Sequence, residues 1–262
     1  MQNLVKWIFP AIAILFLTQT SWGYDPSKHA GKEGIKGGGK GHHGYGRPKG
    51  PPADIPAHIK ERTSPDGKGI NLNKSQIGVK GISILANSTN HANIVSLALQ
   101  GNKLGDEGAG ILAGSETFKH VELLNLWGND LTEAGGKLLA ESPHLGNLKE
   151  LKLTRNKLGD AGVIALVQSK NARHLTILNL DANQITDKGA VAIANSPHLS
   201  NLKSLDLYNN QIGPEGIKAL LQSKSLKNLE TLVLVRNQVD VDTALSIEKT
   251  ATLPNLKSLQ LF

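Results

Sequence analysis

The side chains best suited to chemistry in this sequence are Trp127, Arg155, Tyr208 and Arg236. Aromatic rings and guanidinium groups dominate interface energies, because they bury a broad surface while keeping a polar or charged edge. Trp127 and Tyr208 occupy one row of a regular pattern, and Arg155 and Arg236 fall one step along, on the next row. Lys152, with Glu150, lies beside Trp127 and Arg155; Asp181 and Asp206 lie beside Tyr208. These residues, Glu150 apart, are the candidate partner contacts, and the chemistry they imply is recognition rather than bond making.

Catalytic signals are weak. His120, His144, His174 and His198 fall on different layers of the pattern, and none is paired with Ser or Asp in a nucleophilic motif. There is no H-E-x-x-H string and no phosphate-cradling Gly loop ending in Lys-Ser/Thr. The chain has no Cys, which excludes disulfides, Cys-ligated zinc, haem-thiolate and iron–sulfur sites. A non-enzymatic protein with no cofactor and no metal centre is expected.

The rows come from a 27-residue period. Asn102, Asn129, Asn156, Asn183, Asn210 and Asn237 are each 27 positions apart, and the frame reaches back to Ser75. Around each Asn runs an apolar residue, two variable residues and L-x-L-x-x-N-x-[LIV], as in Leu148 to Leu158 and Leu202 to Ile212. Self-similarity at such a period means stacked units, none of which buries its own apolar face alone. Leu124 and Leu126 are two apart and share one face of a strand, whereas Leu123, Asn125 and Trp127 share the other. Asn129 ends the strand, where its amide can satisfy backbone groups left unpaired by the turn. One such Asn per layer builds a structural ladder. The second half of each unit reads as helix: Thr132-Glu133 and Thr186-Asp187 supply a cap and a first-turn acid, and Gly213-Pro214-Glu215 puts Pro at the first position. A Gly recurs at 108, 135, 162, 189 and 216, which suggests close helix–strand approach. Leu112, Leu139, Leu166, Ile193, Leu220 and Ile247 hold one core position, and Ser115, Ser142, Ser169, Ser196 and Ser223 recur at the helix end.

The pattern L-x-x-L-x-L-x-x-N-x-L followed by a [GT]-[DE]-x-G helix resembles leucine-rich repeats of the ribonuclease-inhibitor type over residues 69–262. The resemblance implies an α/β solenoid shaped as a horseshoe, with parallel strands on the concave face and helices on the convex face. The chain differs from the eukaryotic inhibitors in its single 27-residue unit, its lack of Cys and its lack of an acidic surface, so ribonuclease binding is not carried over. On the concave face, the position two before each Asn reads Asn73, Gln100, Trp127, Thr154, Asp181, Tyr208, Val235 and Phe262.

The N-terminal residues read differently. Lys6, the apolar run Trp7–Leu17 and the small residues Ser21 and Gly23 have the layout of a secretory signal cleaved before Tyr24. The run is shorter than a membrane helix needs, and Pro10 interrupts it. A secreted or periplasmic location follows as an expectation. Residues 24–68 carry nine basic and five acidic residues and many glycines, with no apolar periodicity. Such a segment reads as a disordered basic tether, able to contact anionic polymers weakly. His29, His42, His43 and His58 invite a metal reading, but flexible Gly flanks do not pre-organise a site. Asp54 to Arg62 can form one short cap helix, with Asp54 as cap and Pro56 in the first turn. The repeat region has a net charge of only +2, so the basic pI does not point to specific nucleic-acid binding. Leu256 to Phe262 reads as one more strand, an edge that could pair with a second copy or with an extended peptide. The expected function is non-catalytic binding of a protein or peptide on the concave face. The alternatives are envelope adhesion through the tether, or a secreted effector that binds a host protein.

Overall fold

A computed structural model describes residues 50–261. The signal segment 1–23, the tether through Lys49 with His29, His42 and His43, and Phe262 lie outside the described residues. The order is α1 (Ile55–Glu61), β1 (Gly69–Asn71), α2 (Gly78–Ala86), β2 (Ser96–Ala98), α3 (Gly105–Gly114), β3 (Leu123–Asn125), α4 (Glu133–Ala140), β4 (Glu150–Lys152), α5 (Gly159–Gln168), β5 (Ile177–Asn179), α6 (Asp187–Ala194), β6 (Ser204–Asp206), α7 (Pro214–Leu221), β7 (Thr231–Val233), α8 (Val241–Glu248) and β8 (Ser258–Gln260). The eight strands form one parallel sheet in sequence order. Every pairing advances by one 27-residue period, as in Leu124↔Leu151 and Leu151↔Leu178. Each helix packs against its neighbours in the stack, and each strand is hydrogen-bonded to the strands beside it.

One apolar core runs the length of the stack. Leu124, Leu126 and Leu131 of one unit are fully buried, as are Leu205, Leu207 and Ile212 of another. Phe118 fills the position that Leu145 and Leu199 hold elsewhere, also without exposure. The helices contribute Leu112, Leu139, Ile193 and Leu220.

The turn after each strand is held from the next layer. The Asn129 side-chain oxygen accepts from the N–H of Asn102 at 3.0 Å and of Leu104 at 3.4 Å. Its Nδ2 donates to Leu99 O at 2.9 Å and Trp127 O at 3.3 Å. Asn156, Asn183 and Asn210 repeat this pattern of accepting from and donating to the preceding layer. At Ser75, in the first layer, the hydroxyl meets His58 Nε2 of α1 at 2.9 Å instead. The recurring Ser forms a second ladder: Ser115, Ser142, Ser169 and Ser223 donate to the carbonyl 29 residues earlier, at the end of the preceding helix. A third ladder, of Asn147, Asn201, Asn228 and Asn255, donates to the carbonyl 28 residues earlier.

One expectation needs correction, and it concerns the recurring Gly; the short helix read over residues 54–62 is present as α1. Asp54 caps α1 by accepting from Ala57 N–H, and Ile55 and Ile59 are buried. Beyond α1, Asn71 N–H donates to Arg62 O, and Ser64 N–H donates to Gly69 O, so residues 62–64 cover the free edge of β1. Two apolar side chains and an edge to pair with are enough to order the segment. The recurring Gly marks a different contact from the helix–strand approach expected of it. A Cβ at Gly216 would stand 2.6 Å from Asp187 Oδ1, 2.7 Å from Ile212 Cγ2 and 2.9 Å from Ala190 Cβ, so the close approach is to the preceding helix and the helix's own entry turn. The carboxylate is there because it caps the next helix: Asp187 Oδ1 accepts from Gly213 and Gly216 N–H at 2.7 and 2.8 Å. Asp160 does the same for Thr186 and Gly189, and Asp106 for Thr132.

Asn129→Ala leaves the buried N–H groups of Asn102 and Leu104 without their acceptor, each costing about 1–3 kcal/mol. Urea unfolding should show a loss of about 3 kcal/mol; a loss under about 1 kcal/mol would contradict the ladder's role. Gly216→Ala should destabilise by about 1–3 kcal/mol despite alanine's better helix propensity, because the added methyl displaces the Asp187 cap. A stabilised variant in thermal unfolding would contradict that assignment.

Candidate partner-binding face

Each strand turns one face to the core and the other away from it. The outward rows are set by register: Leu123, Glu150, Ile177, Ser204 and Thr231 share one, and Asn125, Lys152, Asn179, Asp206 and Val233 the next. Two residues further along each strand lie Trp127, Thr154, Asp181, Tyr208 and Val235, all partly exposed.

The backbone of this row is clamped. Trp127 N–H donates to Asn125 Oδ1 at 3.0 Å, and Tyr208 N–H to Asp206 Oδ1 at 3.0 Å. Their carbonyls accept from Gly101 and Ala182 N–H in the preceding layer, at 2.8 and 2.9 Å. The residue just before each ladder Asn is left-handed throughout: φ is +61° at Gly128, +52° at Arg155, +54° at Ala182 and +62° at Arg236. This conformation costs a non-glycine residue about 1 kcal/mol or more. Because every layer shares it, the strain belongs to the turn rather than to a site. Its effect on Arg155 and Arg236 is to lift each side chain back over the preceding layer.

That lift pairs the candidates. The Arg155 guanidinium lies over the Trp127 ring, 5.7 Å from its centroid, and Arg236 lies over the Tyr208 ring at 5.4 Å. Both distances fall within cation–π range. Each cation comes from the layer after its ring, so the two pairs are the same unit repeated three layers apart. Lys152 forms a 2.5 Å ion pair with the buried Glu150. It therefore joins the face as half of a neutral pair.

Between the two ring–cation pairs lie Asp181 and Asp206. Thr154 Oγ1 donates to Asp181 in a short hydrogen bond. Burial pushes the Asp181 carboxyl up, against that hydrogen bond and the Arg155 charge. Burial pushes Asp206 up to about 6; the Tyr208 N–H bond opposes the shift and the charge of Asp181 adds to it. Sequence reasoning placed these residues beside one another, but the stacking of each Arg on a ring follows only from the left-handed turn. The described residues contain no group of three or more His, Asp or Glu side chains arranged to hold a metal ion.

Four segments, residues 90–113, 144–167, 171–194 and 198–221, match the leucine-rich repeat family model. The fold is a leucine-rich-repeat solenoid. Among solved structures, the solenoid is similar to internalin C2 of Listeria monocytogenes, at 24% identity over 74% of this chain and 80% of that one, with a TM-score of 0.50. A leucine-rich-repeat protein of Leptospira interrogans shares 27% identity over 74% of this chain, with a TM-score of 0.45, and this chain spans 43% of that protein. The plant peptide hormone receptor RGFR1, solved in complex with RGF2, shares 22% identity over 70% of this chain and 25% of its own, with a TM-score of 0.39. No curated protein matches the chain.

The electrostatics of Asp206 make a signed prediction. Its carboxyl titrates near 6 in the folded chain and near 3.8 without the fold. The folded state therefore binds more protons between those values, so this group's penalty on stability grows as pH rises through that window and is complete above about 6. Asp206→Asn keeps the acceptor for Tyr208 N–H and removes the partly buried charge. At pH 8 the variant should be the more stable, by up to about 3 kcal/mol, with the difference vanishing near pH 4 in paired thermal unfolding. A variant less stable than the parent at pH 8 would contradict this.

Proposed function

We propose that the chain is an exported, non-catalytic recognition module that holds a protein or peptide on the open sheet face of the solenoid. The observation that carries this reading is the matched pair of ring–cation units, Arg155 on Trp127 and Arg236 on Tyr208. Residues of these types dominate interface energies, and the solenoid presents them on one extended surface. The rings are held at the backbone on both sides and the cations are pre-stacked, so little ordering entropy remains to be lost on binding. A strand and an α-helix in every 27-residue unit support the ribonuclease-inhibitor-like subtype within the repeat family. The basic region, apolar run and small residues at the N-terminus support export by a cleaved signal. In this reading the Gly- and Lys-rich segment before Asp54 is a tether with at most weak, salt-sensitive polyanion contact, and pairing of two copies through β8 is a secondary association.

The test is to pull down partners with the full chain and with Trp127→Ala, Tyr208→Ala and the double variant, and to measure their affinities. Loss of a ring in a hot spot costs about 2 kcal/mol or more, roughly a thirtyfold weakening, and the double variant should abolish capture. Unchanged affinity for both single variants would remove this face from the function.

A further inference from the structure

The charges of the open face fall in a fixed order along the stack. Arg155 stands in the layer of β4, Asp181 in that of β5, Asp206 in that of β6 and Arg236 in that of β7. The order is plus, minus, minus, plus. Elsewhere on the solenoid some surface charges are matched locally: Lys149 pairs with Glu122, Lys119 with Glu116 and Lys257 with Glu230, each at 2.6–2.8 Å. Among the described residues, none of the four charges on the face forms an ion pair. The Arg residues stack on rings, and the carboxylates accept from Thr154 and from the Tyr208 N–H.

We propose that the occupant of this face is an extended peptide segment running along the stack, with an acidic, a basic and an acidic side chain at positions i, i+2 and i+4. The inference rests on the reading of this face as the binding surface and goes on to name the partner's chemistry. Adjacent strands lie about 4.8 Å apart, so three layers separate the two Arg residues by about 14 Å. An extended chain advances about 3.3 Å per residue and turns alternate side chains to one side, so i and i+4 stand about 13 Å apart and face the same way. The two acids then meet Arg155 and Arg236, whose guanidinium groups reach back over Trp127 and Tyr208, and the central cation lands beside Asp181, with Asp206 next to it in the adjoining layer. The guanidinium edges suit bidentate carboxylate recognition while their faces remain on the rings.

The main chain of the sheet cannot do this work. Each strand from β2 to β7 is already bonded to a neighbour on both sides. A peptide lying across the face therefore gains no ladder hydrogen bonds from it, and selectivity must come from side chains. The charge order also rejects other occupants. A polyanion would meet the two carboxylates, a polycation would meet the two guanidinium groups, and an apolar strand would leave four charges desolvated and unpaired.

A random dodecapeptide library displayed on phage and panned against the full chain tests this. Enriched peptides should carry Asp or Glu, then Lys or Arg, then Asp or Glu at spacings of two, and should bind at least tenfold better than the same peptides with the three charges inverted. Against Arg236→Glu, a change at an exposed side chain, selection should move to Lys or Arg at one end of the motif. Peptides that depend on Trp127 and Tyr208 but lack the charge order would overturn this inference and leave the binding-face reading standing. If no enriched peptide depends on those rings, both fall.

Discussion

The buried Asn at the end of each strand is the interaction on which the rest depends. A turn that reverses a chain inside an apolar stack strands N–H and C=O groups away from water, and an unpaired buried group is costly. Asn129, Asn156 and Asn183 resolve this across the layer boundary as well as within their own unit, since each accepts from and donates to the layer before it. No layer is complete until the next one is in place. The Ser ladder at the helix ends and the Asp caps at the helix starts impose the same condition on the helices. Stability is therefore a nearest-neighbour property, and the 27-residue period has to be kept without insertions.

This regularity has a consequence for the open face. The core rows and the ladder rows are tightly constrained, so on the sheet most variation falls in the outward rows. The left-handed residue before each ladder Asn is part of the turn in every layer, as Gly, Ala, Asn or Arg. Where that residue is Arg and the preceding layer offers a ring, the turn stacks one on the other. This happens twice, with the same geometry, three layers apart. The ring–cation stacking is thus a by-product of turn geometry acting on two freely varying positions.

Most of the fold was legible in the sequence because one period governs it: Leu124, Leu126 and Leu131 announce their burial by spacing alone. The candidate residues were legible by type and row. What was not legible required knowing which layer touches which. The Arg155–Trp127 contact spans two layers, and the Gly row looked like a helix–strand contact until Asp187 was seen capping the following helix. The third ladder was hidden because His120 and His174 interrupt it, although Asn201, Asn228 and Asn255 keep the 27-residue spacing. At the N-terminus, the short helix over residues 54–62 was legible from Asp54 as cap and Pro56 in the first turn, whereas the pairing of residues 62–64 with the edge of β1 was not.

The central claim is that the sheet face, not the helix face, meets the partner. Photo-crosslinking decides it most directly. A photoreactive residue placed at Thr154 or Val235 on the sheet face, and separately at Leu138 or Ile164, which are exposed on the helices, reports contact without removing any anchor. The account predicts partner crosslinks from Thr154 and Val235 and none from Leu138 or Ile164. Crosslinks from the helix positions alone would contradict it.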